Sequence, residues 1–582
     1  MAKATRRNRQ SFLHGALILT VSVLIVKLIG ALFKVPLTWV ITEDGLGYFN
    51  TAYNFYGPIY SLATAGFPIA ISRLVSESCT RGAYRDIRRI HRASIPIFVV
   101  TGTTGFLLMI LGARTYSIVI GNENALPSLY LLAPAILFSC LTAIYRGYYE
   151  GLRNMYPTAV SEIIEALCKL LVGLSAACFI VSRGMQEYEA FGTVFGVPAA
   201  SRAYARSAVL PYASAGAVLG VTVGSFFSFL FLLLRHKIFG DGITQEDLKN
   251  SPRPRSMHAT VRTLIRTAIP IGIGAMAVNI AALVDTTFLQ TRIRSVMEKN
   301  PDVLLSMYRG MIPQINMETD TVPNFLFGCF SMALTLFMLI PAVTQAFGIS
   351  ALPNVTAAWT RGEKAHLKKS MEAVIRVTSL FSIPAGMGLA VLAGPIARLV
   401  FGARPSIPIT SRVLVIMGIG AIFASLSTPI NSMLQAVGRV DLPVKLLAAG
   451  LTIKVTLNYV LVGIPRINVL GAGAGTLACY LFITVLAFWF LCRETKIVPD
   501  LVSIFLKPLI ASLFCTAAAW AFYGLGSRFL PGNAAAACAV LGAVLIYAVA
   551  LFCLRAICRD DVLMLPGGQK IIKILEKYGW IG

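Results

Sequence analysis

Charged residues are scarce in this chain, and acidic residues are the scarcest of them. Aspartate and glutamate number 26 among 582 residues, and all charged residues together make up 13% of the sequence. Hydrophobic residues make up 56%, and the mean hydropathy is +0.74. A soluble globular domain usually has about a quarter of its residues charged. The composition therefore excludes an ordinary soluble protein and indicates a membrane protein.

Two motifs that would indicate ATP hydrolysis or a disulfide or metal site are absent from the sequence. No G-x-x-x-x-G-K-[ST] loop occurs, so we do not expect the chain to hydrolyse ATP. The 11 cysteines contain no C-x-x-C pair, which argues against a disulfide framework or a structural metal site. The predicted external loops 183–207 and 291–321 contain carboxylates but no recognisable acid/base or metal-binding arrangement. We therefore expect no enzymatic activity and no cofactor.

Long apolar segments make up most of the chain. A helix that crosses the hydrocarbon core needs roughly 20 apolar residues, and the segments lack the alternating period of barrel strands. Helices then satisfy the backbone polar groups in lipid. The sequence predicts an all-α polytopic membrane protein with about fourteen spans, centred near residues 25, 60, 102, 138, 168, 220, 275, 335, 388, 422, 454, 481, 512 and 546.

Basic residues are concentrated on one predicted side of the membrane. The formal charge is +25, which could indicate a nucleic-acid-binding protein. Most of the Lys and Arg, however, lie in alternate connecting segments, the densest being 73–92, 235–266 and 361–376. This is the positive-inside asymmetry, and it predicts that both termini are cytoplasmic. We expect contact with membrane lipids and none with nucleic acid.

An internal repeat predicts the domain organisation. Residues 64–82 align without gaps to 344–362, and the basic pair at 88–89 aligns with 368–369. Because the two copies begin on the same side of the membrane, they are parallel repeats, with a substrate path expected between them. The predicted parts are a basic N-terminus (1–11), an N-lobe (12–234), a cytoplasmic linker (235–259), a C-lobe (260–493), a final helix pair (494–557) and a cytoplasmic tail (558–582).

Basic residues within or at the ends of spans are candidates for substrate binding, because such charges are costly in lipid. Lys27 and Lys34 are two helical turns apart and therefore lie on one face of the first span. That face suits a diphosphate, although Lys34 could instead extend to the membrane interface. Arg73 closes the second span, where a membrane anchor and a substrate contact are both plausible.

Two further groups of polar residues are candidates for gating or ion coupling. In the fifth span, Glu162, Glu165 and Lys169 share a helix face, and Glu165 is spaced to pair with Lys169. Lys169 is also a candidate for the cationic substrate-binding cavity, together with Lys27, Lys34 and Arg73. Asp285 in the seventh span needs a partner from another helix, and Lys454 in the eleventh, one turn from Asn458, is the candidate. A static lock and a protonatable coupling site both remain open.

The sequence resembles a known transporter family over residues 12–500. The segments that carry the resemblance include TAGFPIAISRLVSE, YRGYYEGLRNMYPTAVSEIIEALCK, SMLQAVGRVDLPVK and IKVTLNYVLVGIPRINVLGAGAGTLACY. Together they are similar to stage V sporulation protein B-like oligosaccharide flippases. This family is related to the MurJ-type lipid II flippases and, more distantly, to the MATE multidrug exporters, all within the MOP superfamily.

The resemblance implies fourteen helices in two lobes plus a final pair that binds a lipid tail. It implies a bacterial cell-membrane flippase that moves an undecaprenyl-diphosphate-linked oligosaccharide, with lipid II the leading candidate, by alternating access. Cell-wall synthesis proteins are then candidate partners. Lys27, Lys34 and Arg73 match basic positions of the family. Asp285, Asn458 and Thr476 match a sodium site of some relatives, which Lys454 could pre-empt. Sodium and proton coupling both stay open.

Three alternatives differ from this expectation. The first is a flippase of another lipid-linked polysaccharide. The second is a MATE-like exporter of soluble cations, for which a cavity lined by lysines would be a poor host. The third, a membrane glycosyltransferase or ligase, is disfavoured by the short external loops.

Overall fold

A computed structural model describes residues 12–64 and 66–554, which form helices joined by turns and loops, with one two-stranded hairpin. The predicted N-terminal segment 1–11 and tail 558–582 lie outside the described residues. The elements are α1 (Phe12–Thr64), α2 (Phe67–Thr80), α3 (Tyr84–Ile120), α4 (Leu126–Gly151), α5 (Tyr156–Phe191), β1 (Thr193–Val194), β2 (Val197–Pro198), α6 (Arg202–Phe239), α7 (Gln245–Lys249), α8 (Met257–Lys299), α9 (Pro301–Met307), α10 (Gln314–Glu318), α11 (Val322–Thr360), α12 (Lys364–Val391), α13 (Ala393–Phe401), α14 (Ile407–Ala436), α15 (Asp441–Val462), α16 (Val469–Thr495), α17 (Lys507–Gly526) and α18 (Gly532–Cys553). A 3-10 turn (Glu123–Ala125) precedes α4, and a π-helical turn (Val502–Leu506) precedes α17.

The fold class is confirmed: the chain is an all-α polytopic membrane protein. Within the described residues, 12 helical segments are long and apolar enough to cross a membrane. One of these, Val21–Thr80, contains 60 residues and includes both α1 and α2. The predicted count of fourteen spans is not confirmed and stays a prediction.

The chain groups into two compact units. The first contains the described residues of Met1–Thr291 together with Gln314–Gly328. The second contains Arg292–Pro313 and the described residues of Cys329–Gly582. Helices α8 and α11 therefore contribute to both units, whereas the repeat assigns 260–493 to one lobe. The predicted lobes rest on sequence repetition, which compactness does not test, and they stay a prediction.

A break in α1 separates the first predicted span from the second. Thr42 has φ 58° and ψ −168°, a backbone conformation that a β-branched residue adopts only at a cost. Just after the break, the buried carboxylate of Asp44 accepts hydrogen bonds from the side-chain amides of Asn316 (2.8 Å) and Asn324 (3.2 Å). The Asn122 amide in turn donates to the Asn324 carbonyl oxygen at 2.9 Å. These amide bonds hold the break in place within the first unit.

Glycines allow α6 to pack closely against α5. A Cβ added at Gly220 would lie 2.5 Å from the backbone nitrogen of Gly173 and 2.9 Å from the Lys169 carbonyl oxygen. A Cβ added at Gly224 would lie 2.7 Å from the Glu165 carbonyl oxygen. Small residues spaced by four on one helix let two backbones approach in this way. The contact fixes the position of the α5 segment that carries Glu165 and Lys169.

The core of the second unit lies mainly among α11, α12, α14, α16 and the π-helical turn. This core is a cluster of buried aliphatic side chains that includes Val355, Ile375, Ile430 and Ile504. The final helices, α17 and α18, contact each other through buried small residues such as Ala519 and Ala543. Both helices lie within the predicted final segment 494–557, whose bounds stay a prediction.

Candidate functional site

A charged cavity of about 360 Å³ lies within the first unit, among α1, α4, α5 and α6. Five charged side chains line it: Lys27, Arg146, Glu162, Glu165 and Lys169. Four of these are residues that the sequence predicts as candidates. Three cationic groups against two carboxylates leave an excess of positive charge, and apolar side chains form the rest of the wall. The arrangement suits an anionic group more than a cation.

An ion pair between α4 and α5 crosses one wall of the cavity. The Arg146 guanidinium donates to Glu165 Oε2 at 2.9 Å, and the two side chains are 21% and 32% exposed. The same guanidinium donates to Ser161 Oγ at 2.9 Å and to Ser228 Oγ at 3.1 Å. Arg146 therefore joins three helices and leaves Glu165 neutralised.

The predicted pairing of Glu165 with Lys169 is wrong. The two residues do share a helix face, but the Arg146 guanidinium from α4 donates to Glu165 and, unlike an ammonium, spreads its further donors in one plane over Ser161 and Ser228. The i, i+4 spacing of Arg146 and Glu150 would allow a pair within α4, but Arg146 pairs with Glu165 on the neighbouring helix. Glu165 is therefore not the partner of Lys169, which contacts other groups.

Lys169 lies against aromatic rings of α1. Its Nζ donates to Tyr53 Oη at 3.0 Å. The ammonium is 4.7 Å from the centroid of the Tyr53 ring, 5.3 Å from that of Phe33 and 5.9 Å from that of Phe49. Aromatic faces attract a cation without neutralising it. The charge of Lys169 is therefore retained in the cavity and remains available to an anion.

Residues of α1 and of the first turns of α5 form another part of the cavity wall. Lys27 is exposed at the cavity wall. Glu162 accepts a hydrogen bond from Ser22 Oγ at 3.0 Å, and Ser22 also donates to the Ala159 carbonyl oxygen at 3.2 Å. These bonds join α1 to α5 beside Lys27. Lys27 and Glu162 thus line the same cavity.

Two predicted basic residues do not line this cavity. Lys34 is half-buried on α1, close enough to Lys169 for their charges to repel, and its carbonyl oxygen accepts from Thr38 Oγ1 at 2.8 Å. Arg73 is exposed on α2. Their assignment to substrate binding stays a prediction.

The predicted ion-coupling residues are divided between the two units. Asp285 is buried on α8 in the first unit. Lys454 and Asn458 on α15 and Thr476 on α16 belong to the second. In the second unit, the side-chain oxygen of the buried Asn458 on α15 lies against Gly475 on α16. Because Thr476 follows Gly475, the packing of α15 against α16 places Asn458 near Thr476. The pairing of Asp285 with Lys454 stays a prediction.

Two members of the site were not among the predicted site residues. Arg146 lies in the motif YRGYYEG, where its spacing of four to Glu150 is typical of a local structural pair. A cation at the end of the span that precedes a predicted intramembrane carboxylate is a signal that could have identified it. Tyr53 lies among several tyrosines of α1, and nothing in its local sequence distinguishes it from Tyr56 or Tyr60.

No group of three or more His, Cys, Asp or Glu side chains that could hold a metal ion occurs among the described residues.

The second unit contains an apolar cavity of about 640 Å³. Its wall is formed by side chains of α12, α14, α16 and α17 and of the π-helical turn, among them Met387, Phe423, Phe488, Phe505 and Leu509. Such a cavity can hold a hydrocarbon chain.

Sequence comparisons connect the chain with transporters of lipid-linked sugars. The family profile described as polysaccharide biosynthesis protein matches residues 12–317, and the profile described as MatE matches residues 327–460. The lipid II flippase MurJ of Bacillus subtilis (strain 168) is 23% identical over 483 residues, covering 81% of each chain. Stage V sporulation protein B of the same organism is 26% identical over 234 residues, covering 39% of this chain and 40% of that protein.

The fold of the chain is also similar to that of a solved transporter structure. The lipid II flippase MurJ in an inward closed conformation matches with a TM-score of 0.53 and 14% identity, over 89% of this chain and 97% of that chain. At this identity the match shows the fold alone. The resemblance that the sequence motifs predict is confirmed by these comparisons.

Proposed function

The chain belongs to the polysaccharide biosynthesis protein family, and we propose that it is a flippase for an undecaprenyl-diphosphate-linked oligosaccharide. The substrate that we propose is lipid II, the molecule named for its MurJ relative. The protein would take this substrate from the inner leaflet and release it in the outer leaflet of a bacterial cell membrane, with both termini in the cytoplasm. The proposed activity is transport, without chemical conversion of the substrate.

The cation-rich cavity of the first unit is the observation that carries this proposal. A diphosphate needs positive charge that is not already neutralised. Arg146 is engaged by Glu165, whereas Lys169 is held by aromatic rings and a tyrosine hydroxyl and keeps its charge. Lys27 adds an exposed ammonium at the same wall. Lysine binds phosphate as a point charge, which tolerates a substrate that must also be released.

The apolar cavity of the second unit supports the lipid part of the proposal. Among the described residues that line this cavity, Thr484 is the one with a polar side chain. An isoprenoid tail consists of hydrocarbon throughout, and an apolar cavity can hold it by van der Waals contact without leaving a polar group unpaired. The cavity borders α17, a helix of the final pair to which the family resemblance assigns tail binding.

A MATE-like exporter is the second candidate, because residues 327–460 match the MatE profile. Exporters of cationic drugs require a cavity that attracts positive charge. The excess of cationic groups in the cavity of the first unit favours an anionic substrate instead.

Depletion in the native host tests the proposed function. The protein is depleted, and lipid II on the outer face of the membrane is labelled with a probe that cannot cross the membrane. We expect lipid II to accumulate on the inner face, and wild-type protein to restore its outward movement. Lys169→Gln and Lys27→Ala variants should be inserted normally and restore it poorly, because they remove the charges proposed to bind the diphosphate.

A lysine outside the cavity provides the matched control. Lys237 is exposed near the end of α6, and Lys237→Gln should restore outward lipid II as well as wild type. Unchanged outward lipid II after depletion, in a host whose other flippases have been deleted, would rule out lipid II as the substrate. If Lys169→Gln, Lys27→Ala and the control Lys237→Gln all failed equally to restore outward lipid II, the assignment of the cavity as the diphosphate site would be contradicted.

A further inference from the structure

A second polar cavity lies in the first unit, away from the residues of the candidate site. Its volume is about 280 Å³, and it lies where the first turns of α3 meet the ends of α4 and α6 and the start of the segment that connects α6 to α8. The lining side chains are almost all polar or ionisable: Arg88, His91, Arg92, Tyr148, His236 and Asp241, with Gly240. The proposed transport activity does not account for it.

Two histidines form the centre of this cavity. The rings of His91 and His236 are stacked, with centroids 4.8 Å apart and an angle of 25° between their planes. Tyr145 and Tyr148 surround His91 at 5.2 and 4.9 Å, and the Tyr149 hydroxyl lies 3.1 Å from His236 Nδ1. The aromatic surround fixes both rings, so their remaining nitrogens are held in defined positions.

One of these nitrogens has no partner. His91 is 9% exposed, and its Nε2 atom makes no hydrogen bond to any residue that the structure describes. A buried polar atom without a partner is costly, and such atoms in proteins usually contact a ligand or an ordered water. His91 lines the cavity, so a group that enters it could supply the hydrogen-bond partner that this nitrogen lacks.

The charges that line the cavity favour an anion. The Arg88 Nε and the Tyr148 hydroxyl donate to Asp241 Oδ2 at 3.3 and 2.9 Å. Burial alone would raise the pKa of Asp241, but hydrogen bonds from the Ile243 amide and from these side chains lower it below its ordinary value. Asp241 is therefore ionised and neutralises Arg88. Arg92 makes no ion pair within the described part of the chain, so its charge remains.

Hydrogen bonds and an ion pair hold the connecting segment that forms one wall. Arg85 Nε donates to the Leu248 carbonyl oxygen at 2.8 Å, and the backbone amide of Arg255 donates to Asp86 Oδ1 at 2.7 Å. An ion pair between Arg255 and Asp86 adds to this attachment at 3.8 Å. The segment therefore follows the start of α3 closely, and the cavity is preformed rather than a gap beside a loose chain.

We propose that this cavity is a binding site for a phosphate group. Arg92 supplies a planar guanidinium, which matches two phosphate oxygens at once, and His91 Nε2 supplies a further donor when it carries a proton. A phosphate oxygen would also satisfy the buried nitrogen of His91. The phosphate can come from the headgroup of an anionic phospholipid or from free phosphate, and both have the same chemistry at these residues.

The test uses the purified full-length chain, selectively labelled with ¹⁵N-histidine, and inorganic phosphate as the probe. The sequence contains only five histidines, so their side-chain resonances can be resolved. Phosphate should shift the resonances of His91 and His236 and raise the thermal midpoint of unfolding. Chloride at equal ionic strength should do neither. Losing one charge-assisted contact should weaken phosphate binding by about tenfold or more in Arg92→Gln.

Arg81 provides the matched control for the loss of charge. It is exposed, pairs with Glu77 on α2 and does not line the cavity, so Arg81→Gln should bind phosphate as wild type does. His91→Asn should also weaken binding. Because Arg92 is exposed, its variant is expected to fold even if the His91 variant does not. Equal effects of phosphate and chloride, or equal affinities of wild type and Arg92→Gln, would overturn the proposal.

The source of the phosphate is decided in nanodiscs. Phosphatidylglycerol in a phosphatidylcholine bilayer should prevent the phosphate-induced histidine shifts if the site binds a lipid headgroup. Unchanged phosphate binding in those nanodiscs would instead support free phosphate. A histidine spectrum that responds to neither probe would remove the site.

Discussion

The ion pair between Arg146 and Glu165 gives the sharpest prediction about how the charged cavity is held together. The structure places one charge on α4 and its partner on α5, with two serine hydroxyls as additional acceptors. Replacing either partner with glutamine leaves the other charge without its counter-ion. We therefore expect both Arg146→Gln and Glu165→Gln to destabilise the protein, and Arg146→Gln to do so more, since it also loses the serine contacts.

The size of the effect follows from the exposure of the pair. Removing one partner of a fully buried pair costs about 3–5 kcal/mol, and an exposed pair contributes about 0–1 kcal/mol. The side chains here are 21% and 32% exposed, between these limits. We expect Glu165→Gln to lose about 2 kcal/mol of unfolding free energy and Arg146→Gln about 3 kcal/mol, with a coupling energy of about 1 kcal/mol in the double-mutant cycle.

The assay is equilibrium unfolding of the four proteins in mixed micelles of detergent and denaturing surfactant. The control cycle uses Arg202 and Glu189, an ion pair of the same residue types that is 77% and 61% exposed. Its coupling should be below about 0.5 kcal/mol. Additive losses in the Arg146 cycle, or equal coupling in the two cycles, would refute the reasoning that this pair joins α4 to α5.

Three further predictions concern other features of the chain. Lys169→Met keeps the contact with the aromatic rings but removes the charge, so transport of the lipid-linked substrate should fall at least about tenfold with membrane insertion unchanged; normal transport would contradict a substrate-binding role. Gly220→Ala should destabilise the α5–α6 contact by about 1–3 kcal/mol, measured as above, whereas Gly388→Ala, where an added Cβ has nothing within 4 Å, should not. If Asp285 couples transport to an ion, Asp285→Asn should insert normally and abolish transport, and full activity in that variant would exclude the coupling role.

The site could be predicted only in part. Lys27, Glu162 and Lys169 were identifiable because a charge inside an apolar segment is conspicuous in sequence and costly in lipid. The partner of Glu165 was not identifiable. The i, i+4 rule considers one helix at a time, and in this protein a guanidinium on a neighbouring helix competes successfully with the local ammonium. The contact of Tyr53 with Lys169 likewise depends on how α1 packs against α5.

Hydropathy and charge distribution by themselves determined that this is a polytopic helical membrane protein, and the order of its motifs determined the family. These properties are local or additive along the chain, since lipid requires apolar helices of a certain length wherever they lie. Only the tertiary structure decided which charges are neutralised and which remain available. Helix crossing, permitted by glycines such as Gly220, sets the distances between residues far apart in sequence. It left Glu165 paired and Lys169 charged, and it brought His91 and His236 together across 145 positions of the chain.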